Sequence, residues 1–179
     1  MAIAPENRRT GLLIPVAADS LVAGFRRRYL AATVARRLPP HITLLFPFAR
    51  GVDVGERHGR DLEAHFARFE PFDAELTGVD VFDDFVVLAP APRDRFLDLI
   101  AAICARFPEF PPYEGKELEP EPHLTIGAPE GPDDLEAVAA AARSELEESL
   151  PFRFRVDSVG LFEEQEDGTF VQSSRFPLG

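Results

Sequence analysis

The sequence predicts an α+β fold of two pseudo-symmetric lobes, each an antiparallel sheet with helices packed on one face, and a cleft between the lobes. Three observations support this prediction. Strand-like and helix-like hydrophobic patterns alternate along the chain, their order repeats once, and similar residues recur at a fixed spacing. With 179 residues, 45% hydrophobic content and 16 phenylalanines, the chain is long enough to bury the core that such a fold requires.

The first half of the chain has the order strand, helix, strand, helix, hairpin. Apolar runs with a period of two indicate the strands, and apolar residues three or four apart indicate the helices. The hairpin turns at Asp83-Asp84, between two runs of β-branched and aromatic residues. The predicted segments are a strand over 11–16, a helix from Asp19 or Ser20 towards Arg37, a strand over 40–48, a helix over 56–69, and hairpin strands over 72–82 and 85–88.

The second half repeats this order from Phe85 onwards. Phe72 and Phe82 have counterparts in Phe152 and Phe162, which lie 80 residues later (162 − 82). We therefore expect a single bilobal domain over residues 1–179, with approximate repeat halves 10–84 and 85–179. The predicted segments are a helix opened by Pro92, a strand over 122–127, a helix begun by Gly131 to Asp134, and strands over 152–162 and 170–176.

A duplicated motif, His-x-Thr followed by an aliphatic residue, is the strongest functional signal. It covers residues 41–44 and 123–126, and a proline precedes each copy. Side chains alternate between the two faces of a strand, so each histidine shares a face with the threonine two residues later. The two His/Thr pairs, His41 with Thr43 and His123 with Thr125, are expected to converge across the cleft if the two sheets face each other.

Two imidazoles and two hydroxyls around one cleft suit chemistry on a phosphodiester. Because the reference pKa of histidine is about 6.5, one ring can accept a proton while the other donates one near neutral pH. Threonine hydroxyls can donate hydrogen bonds to the non-bridging phosphate oxygens. Two alternatives stay open: histidines held by their neighbouring threonines for structure alone, and metal ligation, for which Glu121 is the nearest carboxylate to His123. The other two histidines, His58 and His65, have no threonine two residues later and are interpreted as surface or packing residues.

Other segments offer candidate contacts to a ligand. The proline-rich loop over 108–122 contains Tyr113, which could stack on a base, and Lys116, the only lysine, which could meet a phosphate. Phe46 follows the first motif directly and is a further candidate. The helix before that motif carries arginines that form either a solvated face or a contact to a ligand phosphate: Arg26, Arg27, Arg28, Arg36 and Arg37.

Composition limits the partners and the location of the protein. The formal net charge of −12 argues against binding along extended duplex nucleic acid, although a small phosphorylated ligand is compatible with it. The single cysteine, Cys104, is typical of a reducing compartment, and no apolar run is long enough to span a bilayer. An export-signal-like segment, Asn7 to Ile14, is better explained as the approach to the first strand. We therefore expect a cytoplasmic protein that does not associate with membranes.

The paired motifs, about eighty residues apart in matching contexts, resemble those of the 2H phosphoesterase superfamily, specifically the 2′-5′ RNA ligase-like or cyclic phosphodiesterase proteins. The Leu-Phe-Pro-Phe continuation of the first motif and the Pro-Pro-Tyr loop before the second are similar too. The resemblance implies that His41 and His123 are the catalytic pair and that Thr43 and Thr125 bind phosphate. One departure is Gly127, followed by Ala128, where many members of that family have a basic residue.

The same resemblance implies a reaction. Members of the family act on 2′,3′-cyclic phosphates, related cyclic nucleotides or 2′-5′ linkages without a metal or other cofactor, and some bacterial members join RNA ends weakly. The sequence is therefore interpreted as a monomeric, metal-independent cyclic phosphodiesterase that acts on a small nucleotide or an RNA terminus bearing a cyclic phosphate. The alternative is a catalytically weak or inactive nucleotide- or RNA-binding module of the same fold.

Overall fold

The fold is α+β, with one eight-stranded sheet in which every neighbouring pair of strands is antiparallel. The structure is a computed structural model that describes residues 2–116, 120–129 and 134–179. The predicted α+β class and antiparallel pairing are confirmed. The sheet has the order β6-β3-β4-β5-β2-β1-β7-β8, so the two motif strands, β2 and β5, are neighbours at its centre.

The helices and strands follow the predicted order. Their bounds are β1 Thr10–Pro15, α1 Asp19–Tyr29, α2 Ala31–Ala35, β2 His41–Leu45, α3 Val54–Phe66, β3 Phe72–Phe82, β4 Phe85–Ala91, α4 Arg93–Arg106, β5 Leu124–Gly127, α5 Leu135–Leu146, β6 Phe152–Val156, β7 Ser158–Glu164 and β8 Phe170–Pro177.

The two sheets expected for separate lobes are joined into one. The join at the centre is the pairing of Ile42 in β2 with Leu124 in β5. Three more strand pairs also cross between the halves: β1 with β7, β3 with β4, and β3 with β6. Only Asp157 separates β6 from β7, yet β6 is an edge strand and β7 is second from the opposite edge. The sheet must therefore curl. The repeat halves 10–84 and 85–179 stay a prediction.

The helix expected to run from Asp19 or Ser20 to Arg37 is two helices. Neither predicted cap forms, because α1 is preceded by Ala18 and has no side-chain cap. The carbonyl oxygen of Tyr29 accepts a hydrogen bond from the backbone N–H of Ala128, at 2.7 Å, instead of continuing the helical ladder. The break after Tyr29 thus ties the end of α1 to the residue that follows β5.

One predicted strand is divided, and one predicted helix start is only partly described. The strand over 152–162 divides at Asp157, whose carbonyl oxygen accepts from Leu178 N–H at 2.8 Å. The predicted start of the last helix at Gly131 lies outside the described residues. Within them, the Asp134 side chain accepts from Glu136 N–H at 2.9 Å and caps α5.

The main core lies between the sheet and the helices. Ile42, Leu44, Leu124 and Ile126 belong to it, and each is at most 2% exposed. Phe25, Phe66, Ile103 and Val138 pack into the same core from α1, α3, α4 and α5. The helices thus cover the apolar face of both motif strands, and the predicted alternation leaves the motif histidines and threonines on the opposite face.

Candidate active site

The pairing of the two motif strands brings the four motif side chains onto one patch. Continuing the register of Ile42 with Leu124 by one residue places His41 opposite Thr125 and Thr43 opposite His123. Directly opposed Cβ atoms in an antiparallel pair are about 5 Å apart, and diagonal neighbours about 7–8 Å. The two histidines are diagonal neighbours, which leaves room for a phosphate between their rings.

Each histidine ring is held by the backbone just before it. Nδ1 of His41 lies 2.7 Å from the carbonyl oxygen of Pro39, and Nδ1 of His123 lies 2.7 Å from that of Glu121. A carbonyl oxygen only accepts, so Nδ1 must donate in both rings. In a neutral ring this leaves Nε2 as the acceptor, and in a protonated ring it leaves Nε2–H as a donor. In both rings, Nε2 is therefore the nitrogen that changes between acceptor and donor when the ring is protonated.

His41 is strongly biased towards its neutral form. Its pKa is lowered from the ordinary 6.5 to about 4, mainly because burial disfavours the charged ring. The hydrogen bond to Pro39 opposes this effect, whereas the positive charges of Arg26 and His123 add to it. At neutral pH, His41 is an uncharged imidazole with Nε2 able to accept a proton.

A cavity of about 280 Å³ opens over the motif strands. Its lining includes His123 and both motif threonines, so the hydroxyls face the same space as that ring. His41 is half-buried and is not among the described residues that line this cavity. The predicted residues that line the cavity are Thr43, Phe46, Tyr113, Lys116, His123 and Thr125.

Aromatic side chains form much of the cavity wall. The Phe82 ring lies 5.1 Å from the His123 ring, centroid to centroid. On the opposite side, Tyr113 N–H donates to the carbonyl oxygen of Phe46 at 2.7 Å, which fixes the loop against the end of the first motif. Tyr113 and Glu114 both adopt left-handed backbone conformations, with φ of 48° and 60°. Such strain in non-glycine residues is characteristic of functional loops, and here it sets the position of Tyr113.

Charge in the cavity is sparse and mixed. Lys116 is an exposed cation on its rim, and Asp83 and Glu121 contribute carboxylates. Arg93 donates two hydrogen bonds to Glu121, and this pairing holds the pKa of that carboxyl below its ordinary value. Among the described lining residues, this balance favours a ligand with little charge over one with several phosphates.

The arginines of the first helical region behave differently from one another. Arg26 is 4% exposed and turns inward, which neither a solvated face nor a direct phosphate contact predicts. Arg27, Arg36 and Arg37 are exposed, and Arg28 forms an ion pair with Glu145. None of these five arginines is among the described residues that line the cavity over the motif strands.

The remaining two histidines are packing residues. His58 lies edge-on to Phe48 with the ring centroids 5.3 Å apart. His65 is 5% exposed and packs against Phe66 and Phe69. In residues 2–116, 120–129 and 134–179, no three or more His, Cys, Asp or Glu residues are placed to hold a metal ion together. Those same ranges contain no helix with the length and apolar character needed to cross a membrane.

Sequence reasoning missed several residues of the site. Phe82, Asp83 and Phe85 line the cavity although the sequence indicated only a hairpin there. Their position follows from the pairing of β4 with β5, which carries the hairpin tip to the second motif. Arg26 was one of five similar arginines, and only its place on the buried stripe with Val22 and Phe25 distinguishes it.

Comparisons with known proteins agree with this architecture. Residues 14–168 match the sequence model of the 2′-5′ RNA ligase superfamily. Escherichia coli LigT complexed with NADP+ is 17% identical with a TM-score of 0.62, covering 97% of this chain and 98% of LigT. The Thermus thermophilus protein TT0787 is 18% identical with a TM-score of 0.57, covering 95% of this chain and 97% of TT0787.

A eukaryotic protein has a similar fold. Kluyveromyces marxianus Usb1 is 13% identical with a TM-score of 0.55, covering 97% of this chain and 99% of Usb1. At these identities the structural matches establish the fold. No curated protein sequence matches the chain.

Proposed function

Because the chain belongs to the 2′-5′ RNA ligase superfamily of 2H phosphoesterases, we propose that it is a metal-independent phosphodiesterase that hydrolyses a 2′,3′-cyclic phosphate or a related cyclic nucleotide. The observation that carries this proposal is the matched anchoring of two imidazoles on adjacent strands. Both rings donate Nδ1–H to a carbonyl oxygen two residues earlier, so both present Nε2 to chemistry on the same face of the sheet.

Paired Nε2 atoms can move both protons that ring opening requires. One imidazole accepts a proton from water as the water oxygen forms a bond to phosphorus. The other, as imidazolium, donates its proton to the ribose oxygen as the bond between that oxygen and phosphorus breaks. The product is a nucleoside monophosphate, and the two rings have exchanged protonation states. If a ribose 5′-hydroxyl replaces water as the nucleophile, one ring accepts the hydroxyl proton as its oxygen bonds to phosphorus, and the other protonates the departing ribose oxygen. That exchange would join two RNA ends through a 2′-5′ linkage.

The motif threonines supply the electrostatic part of the proposal. Thr43 and Thr125 lie opposite the histidine of the other strand and face the cavity. Their hydroxyls can donate to the two non-bridging oxygens, whose negative charge grows as phosphorus becomes five-coordinate. Donors already held in place by the sheet need little reorganisation as that charge develops.

Size and charge favour a small substrate. The cavity of about 280 Å³ is near the lower end of the range for small-molecule sites, about 300–1,000 Å³. Phe46, Phe82 and Tyr113 offer flat apolar surfaces on which a base can stack, and Lys116 can meet a phosphate. LigT has been solved as complexes with 3′-AMP and with phosphate, each of which carries one phosphate group.

A substrate panel tests the proposal. Purified protein is incubated with 2′,3′-cyclic mononucleotides, oligonucleotides ending in a cyclic phosphate, ADP-ribose cyclic phosphate and 2′-5′ dinucleotides, with and without a chelator. We expect conversion of at least one cyclic phosphate to a monophosphate, at a rate that the chelator does not change. Loss of activity with chelator would favour the metal-ligand alternative, and the absence of turnover on every substrate would contradict the phosphodiesterase.

A non-catalytic binding module is the second candidate. The scarcity of cations in the cavity and the Gly127–Ala128 sequence after the second motif are the observations that favour it. Its signature is saturable binding of a 2′-nucleotide, measured by calorimetry, by a protein that hydrolyses no cyclic phosphate.

We further propose that the protein is a cytoplasmic monomer. The single cysteine, Cys104, cannot form an internal disulfide, which is typical of a protein in a reducing compartment. Sedimentation equilibrium at micromolar concentration should give a mass near 19.8 kDa, and a mass of twice that value would contradict the monomer.

A further inference from the structure

Arg26 is a buried cation without a bound carboxylate. It lies on the inner face of α1, is 4% exposed and takes part in no ion pair with any described residue. Its Nε is buried and has no hydrogen-bond partner among those residues. Burial lowers the pKa of its guanidinium, and Asp19, two helical turns earlier, offsets only part of this effect. Removing a charge from water costs free energy, and this cost is rarely offset without an oppositely charged partner. A functional role would explain why Arg26 is buried.

The carbonyl groups that Arg26 contacts belong to the segment that carries His41. Nη2 of Arg26 donates to the carbonyl oxygen of Leu38 at 3.0 Å and to that of Pro39 at 3.3 Å. The Pro39 oxygen is also the acceptor for Nδ1–H of His41, at 2.7 Å. One oxygen atom therefore links the buried guanidinium to the first catalytic ring.

A carboxylate, rather than a cation, belongs to the residue that anchors the second motif histidine. The carbonyl oxygen that orients His123 belongs to Glu121, whose own carboxylate interacts electrostatically with His123. Arg93 binds that carboxylate from the far side and reduces its effect. The same kind of backbone hydrogen bond anchors each ring. A guanidinium lies near His41, whereas a carboxylate lies near His123.

We propose that Arg26 is a positioning residue of the active site. Its guanidinium fixes the Pro39 carbonyl that orients His41, and its positive charge adds to the burial that disfavours a second positive charge on that ring. This inference rests on the proposed function, and it assigns the two roles that matched anchoring leaves open: His41 is the base and His123 the acid.

Substrate binding completes this arrangement. Without substrate, His41 is neutral and can accept a proton, but its low pKa makes it a weak base. The negative phosphodiester brings a compensating charge next to the ring and raises its basicity, so proton transfer becomes favourable only when substrate is present. Arg26 itself does not touch the substrate, so its loss should lower kcat more than it raises KM.

The titration of His41 tests the proposal without any substrate. The ionisable groups near His41 are Arg26 from α1 and His123 from β5, and those farther along the cavity are Asp83, Tyr113, Lys116 and Glu121.

In Arg26→Gln, which keeps a donor but removes the charge, the midpoint of the His41 Cε1–H signal should rise by roughly 1 pH unit. In Arg26→Lys, which keeps the charge, it should stay near the wild-type value. The acidic limb of kcat/KM should move with the midpoint.

Arg27→Gln is the matched control, because Arg27 is exposed on the same helix. It should leave the His41 midpoint and the rate profile unchanged. An unchanged midpoint in Arg26→Gln, or an equal change in Arg26→Lys, would overturn the proposal. If Arg26→Gln does not fold, the Arg26→Lys variant decides. A His41 midpoint at the ordinary histidine value would then overturn the proposal, and a midpoint as low as in the wild type would support it. A titration that behaves as expected in a protein that hydrolyses no cyclic phosphate would retain the role of Arg26 while rejecting the phosphodiesterase.

Discussion

The two copies of the His-x-Thr motif have the same backbone geometry and different surroundings. In both, the ring donates Nδ1–H over 2.7 Å to the carbonyl oxygen two residues earlier, and the following threonine lies opposite the other histidine. Behind the first copy lies the buried guanidinium of Arg26, whereas beside the second lie Glu121 and its partner Arg93. Duplication of a strand can thus place two equivalent bases, while the neighbouring elements make them inequivalent.

This difference has a chemical consequence. A pair of identical imidazoles has no preferred direction for proton transfer, whereas a neutral ring facing a charged one does. Helix α1 contributes the charge on one side, and the loop before β5 contributes it on the other. The residues that make the two rings different therefore lie outside the motifs. The sequence pattern predicts the positions of those residues least well.

Removing either ring should have the largest effect. His41→Ala and His123→Ala should each lower kcat/KM on a 2′,3′-cyclic mononucleotide at least about 100-fold, since general acid–base catalysis contributes about 10²–10⁴-fold. His58→Gln, which alters a packing histidine, should keep the wild-type rate. Circular dichroism should show an intact fold in all three variants. A single motif variant with full turnover would contradict the shared site.

Removing a hydroxyl should cost less than removing a ring. Thr43→Val and Thr125→Val keep the side-chain shape and should each lower kcat roughly 10- to 100-fold, because one donor to the developing charge is lost. Thr43→Ser and Thr125→Ser retain the donor and should remain within a few-fold of wild type. Equal rates for the valine and serine variants would show that the hydroxyls have no part in catalysis.

The stability of the protein should reveal the neutral His41 ring. Because the pKa of His41 is about 4 in the folded protein and about 6.5 when unfolded, the unfolded chain binds the proton first. His41 therefore makes the free energy of unfolding fall as the pH drops from about 6.5 to about 4. Between pH 7 and pH 5, His41 lowers the free energy of unfolding by at most about 2 kcal/mol.

Urea denaturation at the two pH values measures this share. His41→Asn cannot bind the proton and should lose less stability than wild type on going from pH 7 to pH 5. Carboxyls with lowered pKa, such as that of Glu164, act mainly below this range and should contribute equally to both proteins. The same loss in wild type and His41→Asn would contradict a neutral, buried ring.

The smallest expected effect concerns the second copy. Glu121→Gln removes the negative charge beside His123 but keeps the carbonyl oxygen that orients the ring. The alkaline limb of kcat/KM should move to lower pH, with a few-fold change in the maximal rate, because the Arg93 pairing already screens this charge. Arg93→Gln should move the limb in the opposite direction. If Glu121→Gln moved the acidic limb instead, His123 would be the base and His41 the acid.

Local patterns were sufficient for most of the fold and for the face on which the motif side chains lie. The period-two alternation placed Ile42 and Leu124 in the core and their histidines on the other face, and both motif strands formed where expected. The joining of two expected sheets into one could not be foreseen, because it depends on a pairing between strands some eighty residues apart. The end of α1 at Tyr29 likewise follows from a long-range hydrogen bond to Ala128, not from a local breaker.

The electrostatic features of the site were the least predictable. Arg26 differs from Arg27 and Arg28 only in its helical spacing from Val22 and Phe25, which places it on the buried stripe of α1. The cavity wall formed by Phe82 and Phe85 depends on where the tip of one hairpin meets a strand of another segment. Such contacts arise from packing between elements, which a single sequence encodes only indirectly.

The pH dependence of kcat/KM in wild type, His41→Ala and His123→Ala tests the central claim most directly. That claim is that two rings on adjacent strands act as base and acid on one phosphorus atom. We predict a bell-shaped profile for the wild type, with the acidic limb absent from the residual activity of His41→Ala and the alkaline limb absent from that of His123→Ala. A profile that keeps both limbs in either variant would contradict the account.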